Sequence, residues 1–111
     1  MALFHNLHAY HHSQRQVRTV AALTDSIRFG DLANQMRRAA ISVVSNLVEG
    51  NARTSHRDAV RLLSIARASN DELAAQLDIV DMTLGIDTSE ARKINESTGR
   101  MISGIIRWRS G

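Results

Sequence analysis

The sequence predicts an all-α fold: a single domain, residues 1–111, built as an antiparallel up-down-up-down four-helix bundle. Three observations predict it. The chain contains no Pro and is rich in Ala, Leu, Ile and Arg, residues that cost little in a helix. Apolar residues recur at alternating steps of three and four through four separate segments, the spacing of helices that each bury one face. The breaks between those segments are short, so each helix must fold back along the one before it.

The first helix is expected over residues 7–23, from the line Leu7, Tyr10, Gln14, Val17 and Ala21. The stretch "TDSIRFGD" breaks this line. Asp31 then reads as the N-cap of a second helix over residues 31–49, with Gly50 as its C-cap. This helix has more apolar surface than one core needs. Leu32, Met36, Ala40, Ile41, Val43, Val44, Leu47 and Val48 cover roughly half its circumference at about 100° per residue. A stripe somewhat over ~100° wide suffices for an ordinary bundle helix. The surplus edge, Ile41, Val44 and Val48, predicts contact with further copies of the chain. On the other side Gln35, Arg38, Ser42, Ser45, Asn46 and Glu49 form one polar arc that pairs across the bundle or with a neighbouring subunit. A buried Glu49 would need a cation, for which Arg38 of a packing neighbour is a candidate.

The third helix is expected over residues 55–84. Ser55 followed by Asp58 approximates a capping box. Ala59, Leu63, Ala66, Asn70, Leu73, Leu77, Val80 and Leu84 then keep a regular 4-3 spacing, and Gly85 ends the helix. Asn70 falls on this seam, where a polar residue fixes register; a place near a solvated edge is the alternative. Asp87 with Glu90 can open the fourth helix, residues 88–109, whose seam is Ala91, Ile94, Thr98, Met101, Ile105 and Trp108.

The formal charge is only +3, but it is segregated. Residues 32–67 carry six Arg against two acids, and residues 68–90 carry six acids and no base. On an antiparallel bundle, one pole collects Arg53, Arg57, Arg61, Arg107 and Arg109 with His5, His8, His11, His12 and His56. The opposite pole receives Asp78, Asp81, Asp87 and Glu90. Such a basic pole attracts phosphate backbone; a solvated charged surface is the plainer reading. Histidines gain charge below pH ~6.5, so binding there should tighten on acidification. With four aromatic residues in the chain, contact with nucleic acid should be led by the backbone and weakly sequence-specific.

Enzymatic chemistry finds little support. There is no Cys, hence no thiolate nucleophile and no Cys-based zinc site. Gly-rich phosphate loops and paired-carboxylate patterns are missing. In "HNLHAYHH", His5 with His8 and His8 with His12 have helical pair spacing. No acid lies nearby, and a third ligand would have to come from His56, so no metal is assigned. Ser42, Ser45, Asn46 and Glu49 have no His beside them on their helix and sit on no strand-to-helix elbow. No cofactor is expected. No segment reads as a secretory signal or a membrane span, and a cytoplasmic location is expected.

Residues 32–77, "LANQMRRAAISVVSNLVEGNARTSHRDAVRLLSIARASNDELAAQL", resemble the four-helix-bundle family encoded in intervening sequences of bacterial large-subunit ribosomal RNA genes. Gln35, Arg37, Arg38, Ala39, Ala40, Ser42, Ser45, Asn46, Glu49 and Gly50 match the family's central motif, and Arg53 matches the Arg that follows it. Leu63, Ala66, Ser69, Glu72, Leu73, Gln76 and Leu77 match the helix that follows, and "LHAY" resembles the family's L-x-V-W. Val44 stands where the family usually has Pro, and Tyr10 where Trp is usual. The resemblance implies a homopentameric ring. It also implies kinship with the accessory protein of diversity-generating retroelements, which engages nucleic acid and a reverse transcriptase. The expected function is therefore a non-enzymatic scaffold that binds RNA or DNA through Arg53, Arg57, Arg61, Arg107 and Arg109. It would assemble through Arg38, Ile41, Val44, Asn46, Val48 and Glu49. A purely protein-binding ring, for example a partner of a reverse transcriptase, is the alternative.

Overall fold

The computed structural model describes residues 2–111, with side chains from residue 7 onward. Four helices follow in order: α1 (Ala2–Thr24), α2 (Gly30–Ala52), α3 (His56–Leu84) and α4 (Ser89–Ser110). No strand occurs among the described residues. Each helix packs mainly on two others, in the cyclic order α1, α2, α3, α4 and back to α1. Successive helices run in opposite directions. Gly50, near the end of α2, lies against Leu63 and Ala59 in the first turns of α3. Arg92, at the start of α4, reaches Asp78 and Asp81 near the end of α3. The 29-residue α3 spans the long axis of a 42 × 21 × 18 Å body.

The turns follow from local chemistry. Ser55 Oγ accepts a hydrogen bond from the Asp58 backbone N–H at 3.3 Å and caps α3. Gly85 closes α3 in the left-handed region (φ 63°), where a residue with a Cβ is strained. Asp87 Oδ1 accepts from the Ser89 N–H at 2.9 Å, so it caps α4 from one residue before the N-cap, Thr88.

Two expected caps differ. Asp31 lies inside the first turn of α2, and Phe29 is the N-cap residue, offering only its backbone carbonyl to Ala33. Gly50 does not end α2, which continues to Ala52 with Arg53 as its cap. Gly50 is there because the helices touch. A Cβ at this position would sit 2.9 Å from Leu63 Cγ and 3.3 Å from the Ala59 carbonyl oxygen.

The α3 seam is buried as its spacing requires, apart from the half-buried Leu84. The α1 seam is displaced. Its buried line is Ala9, Ser13, Gln16, Val20 and Thr24, while Leu7 and Ala21 are exposed. The inward line is made of small and polar residues, so hydrophobicity alone selects the neighbouring, more apolar line. On α4, Trp108 also leaves the core and is 55% exposed. A straight helix drifts ~20° per heptad from a 3.5-residue repeat, and Trp108 stands at the end of that drift.

The core has two parts. One gathers Val20, Met36, Leu73, Leu77 and Val80 at the acidic pole; the other gathers Ala9, Leu47, Leu63, Ile102 and Ile105 at the basic pole. Burying each large side chain contributes about 1.5–3 kcal/mol. Between the two parts lies a layer of three buried amides, from Gln16, Asn70 and Asn95.

Candidate nucleic-acid interface

The basic pole is assembled by the end of α2, the start of α3 and the end of α4. Arg53, Arg57, Arg61 and Arg107 are exposed there. Arg53 caps α2 while Arg57 and Arg61 lie on α3, so the turn at residues 53–55 separates them, and only Arg57 and Arg61 share a continuous helical face. Arg109 has a different task from the other four. Its Nη2 donates to the Arg53 carbonyl oxygen at 2.8 Å, tying the end of α4 to the α2–α3 turn. Its Nε is buried without a partner among the described residues. Arg109 thus positions the pole as well as charging it. Its guanidinium also lies 5.9 Å from the ring centroid of the exposed Trp108.

Two arginines escaped the sequence reading. Arg67 on α3 and Arg100 on α4 line an open groove together with Arg107, Ser103 and the amides Asn70 and Asn95. Asp71 and Glu96 border the same groove. A signal was present: residues 96, 100, 103 and 107 repeat at helical spacing on the face of α4 opposite its core seam. The seam spacing places Trp108 in the core, whereas the structure sets it, exposed, beside the arginines.

The histidines are less simple than their number suggests. His5 lies outside the residues whose side chains are described. His8, His11 and His56 are exposed. Burial lowers the pKa of His12, and Arg15, His8 and Arg100 lower it further. His12 therefore gains its charge later on acidification than an ordinary imidazole does. Among the described residues, no three of His, Asp and Glu come within reach of a common metal ion.

The α2 residues divide. Ile41 and Val48 are 53% and 47% exposed, and Val44 beside them is half-buried, so the surplus edge lies outside the core. Arg38 and Glu49 are both exposed. A buried-charge penalty on Glu49 does not arise within one chain, and among the described residues the two form no ion pair with each other. Asn46 turns inward. Its Nδ2 donates to the Ser42 carbonyl at 2.9 Å and lies 3.1 Å from Ser42 Oγ, which in turn shares a 2.8 Å hydrogen bond with Ser69 Oγ on α3. The polar arc is therefore partly a joint between α2 and α3.

The acidic pole is held by Arg92. It bonds Asp78 at 2.6 Å, bridges Asp81, and lies beside Thr88, whose hydroxyl donates to Asp81 at 2.6 Å. The bonds from Thr88 and Arg92 hold the Asp81 carboxyl below its usual pKa. No helix among the described residues is long and apolar enough to cross a membrane.

A comparison with curated proteins gives no match. The model of the 23S rRNA-intervening sequence protein family matches residues 5–107, which include α2, α3 and, of the basic pole, Arg53, Arg57, Arg61 and Arg107 but not Arg109. That match takes in nearly all of the four-helix body, and the chain belongs to the 23S rRNA-intervening sequence protein family.

Proposed function

We propose that this chain is a non-enzymatic accessory scaffold that binds the phosphate backbone of RNA or DNA through its basic pole. The observation that carries the reading is the convergence of exposed Arg53, Arg57, Arg61 and Arg107 at one end of the body, beside an exposed Trp108. Arginine supplies backbone contacts of either nucleic acid, and an exposed indole can stack on an unpaired base. The Arg67, Arg100 and Arg107 groove extends the same charge along α3 and α4.

The proposal includes assembly into a homo-oligomeric ring, pentameric as the family resemblance implies, through the α2 edge of Ile41, Val44 and Val48 with Arg38 and Glu49. A ring repeats the basic pole on one face and multiplies its field. Kinship with the retroelement accessory protein, a cytoplasmic location and the lack of catalysis belong to the same proposal. Ser42, whose hydroxyl is engaged by Ser69 and Asn46, supports the last of these.

The test is affinity against salt. Replacing Arg53, Arg57 and Arg61 by Glu should abolish binding and flatten the slope of log affinity against log salt. No detectable binding by the unaltered protein at low salt rejects the reading. A second reading is supported by the half-exposed Ile41 and Val48. It is a protein-binding ring, with a reverse transcriptase as one possible partner, whose interactions would survive those three substitutions.

A further inference from the structure

The groove between α3 and α4 does not pair its charges as a helix seam ordinarily does. Arg67 and Asp71 on α3 and Glu96 and Arg100 on α4 line it, and all four are exposed. Asn70 fixes their register. Its Nδ2 donates to the Asn95 carbonyl at 3.0 Å, and a Cβ on Gly99 would sit 3.1 Å from the same atom. Asn70 therefore stands level with the middle of residues 95–99. Because the helices are antiparallel, Asp71 is level with Glu96 and Arg67 with Arg100.

Further along the seam Arg92 crosses to Asp78 and Asp81, opposite charge on opposite charge. In the groove, acid faces acid and base faces base. The four-residue spacing within each helix would let Arg67 reach Asp71 and Glu96 reach Arg100. Yet among the described residues none of the four forms an ion pair, and Arg100 donates only to Ser97 Oγ at 3.3 Å. The result is a cationic rung and an anionic rung about 6 Å apart, four residues at 1.5 Å each. Arg107 and Ser103 continue the groove beyond the cationic rung. At the floor Asn70 is 2% exposed, and its Nδ2 keeps one proton without a partner among the described residues. The lack of a side chain on Gly99 leaves space beside that atom.

We infer that this groove binds one ribonucleotide unit of an RNA strand. Arg67 and Arg100, with Arg107, hold a phosphate, and Asp71 and Glu96 accept hydrogen bonds from the ribose 2′-hydroxyl. The inference rests on the nucleic-acid reading above and decides between its two polymers. The groove encloses about 510 Å3, inside the range of roughly 300–1,000 Å3 found for small-ligand sites. Guanidinium groups suit phosphate oxygens. An ionised carboxylate can only accept a hydrogen bond, so the anionic rung needs a donor. A ribose supplies one in its 2′-hydroxyl, the group by which a protein tells RNA from DNA. Deoxyribose leaves the carboxylates facing C–H groups and phosphate charge.

The test compares single-stranded oligouridylate with oligodeoxyuridylate of equal length at one low salt concentration. The two differ only at the 2′ position. The unaltered protein should bind the ribo strand about tenfold more tightly, the low end for a hydrogen bond to a charged group. Asp71→Ala with Glu96→Ala should erase that preference, and circular dichroism checks that these exposed substitutions leave the helices intact. Arg67→Gln with Arg100→Gln should lower the ribo affinity more than the deoxy. Equal affinities of the unaltered protein overturn the inference and leave binding through the basic pole standing. A preference unchanged by either double substitution also overturns it. Failure to bind either strand overturns both the inference and the reading beneath it.

Discussion

Asn70 and Asn95 exchange hydrogen bonds across α3 and α4: each side-chain amide donates to the other's backbone carbonyl at 3.0 Å. Gln16 of α1 closes the set, donating to Asn70 Oδ1 at 2.9 Å and accepting from Asn95 Nδ2 at 3.2 Å. Three helices are thereby fixed in register at the middle of the bundle, between the two apolar parts of the core. Shifting any one of them by a turn would strand a buried amide, at about 1–3 kcal/mol for each unsatisfied group.

The first prediction concerns this layer. Asn70→Leu removes the acceptor of Gln16 Nε2 and should lower unfolding free energy by about 1–3 kcal/mol in urea titration. Replacing all three amides by Leu should recover much of that loss, because no partner is then left unpaired. A single substitution without cost would show that the layer does not hold register.

The α2–α3 contact gives the second. Gly50→Ala gains about 0.5–1 kcal/mol of helix propensity. It also places a methyl group 2.9 Å from Leu63 Cγ, in a fully buried position, and overpacking of this kind costs about 1–3 kcal/mol. Net destabilisation is expected, and Leu63→Ala in the same chain should relieve the clash while opening a cavity. A more stable Gly50→Ala protein would place the helices further apart than described.

Acid should weaken the fold in two separate windows. His12 has a lowered pKa when folded, so the unfolded chain binds the proton more readily, and stability falls as pH drops below the ordinary imidazole value of ~6.5. His12→Gln should flatten that limb of a melting-temperature profile. Asp81 also has a lowered pKa when folded; its contribution is present above the unfolded carboxylate value and is lost as pH falls through the folded one. Asp81→Asn should flatten only this second, more acidic limb.

Much of this was legible in the sequence, for identifiable reasons. The α3 seam could be read because apolar side chains hold every position but Asn70, and the Gly85 cap because a left-handed residue favours glycine. The α1 seam could not, because Ser13, Gln16 and Thr24 point inward and earn their burial through hydrogen bonds that composition does not show. Gly50 read as a stop signal because helix ends and close helix contacts both select glycine. The arginines of the pole were placed by topology alone, whereas the structural task of Arg109 depends on a bond between residues 56 positions apart.

The most direct measurement uses the lone tryptophan, which stands beside Arg107 and Arg109 at the basic pole. Trp108 fluorescence should be quenched as single-stranded RNA is added at low salt. The apparent affinity should fall linearly in log–log form as salt rises, by roughly 0.7 logarithmic units per decade of salt for each phosphate engaged. Arg57→Glu with Arg61→Glu should reduce both the affinity and that slope. Fluorescence unaffected by RNA at low salt, with Trp108 still open to a neutral quencher such as acrylamide, would contradict the account.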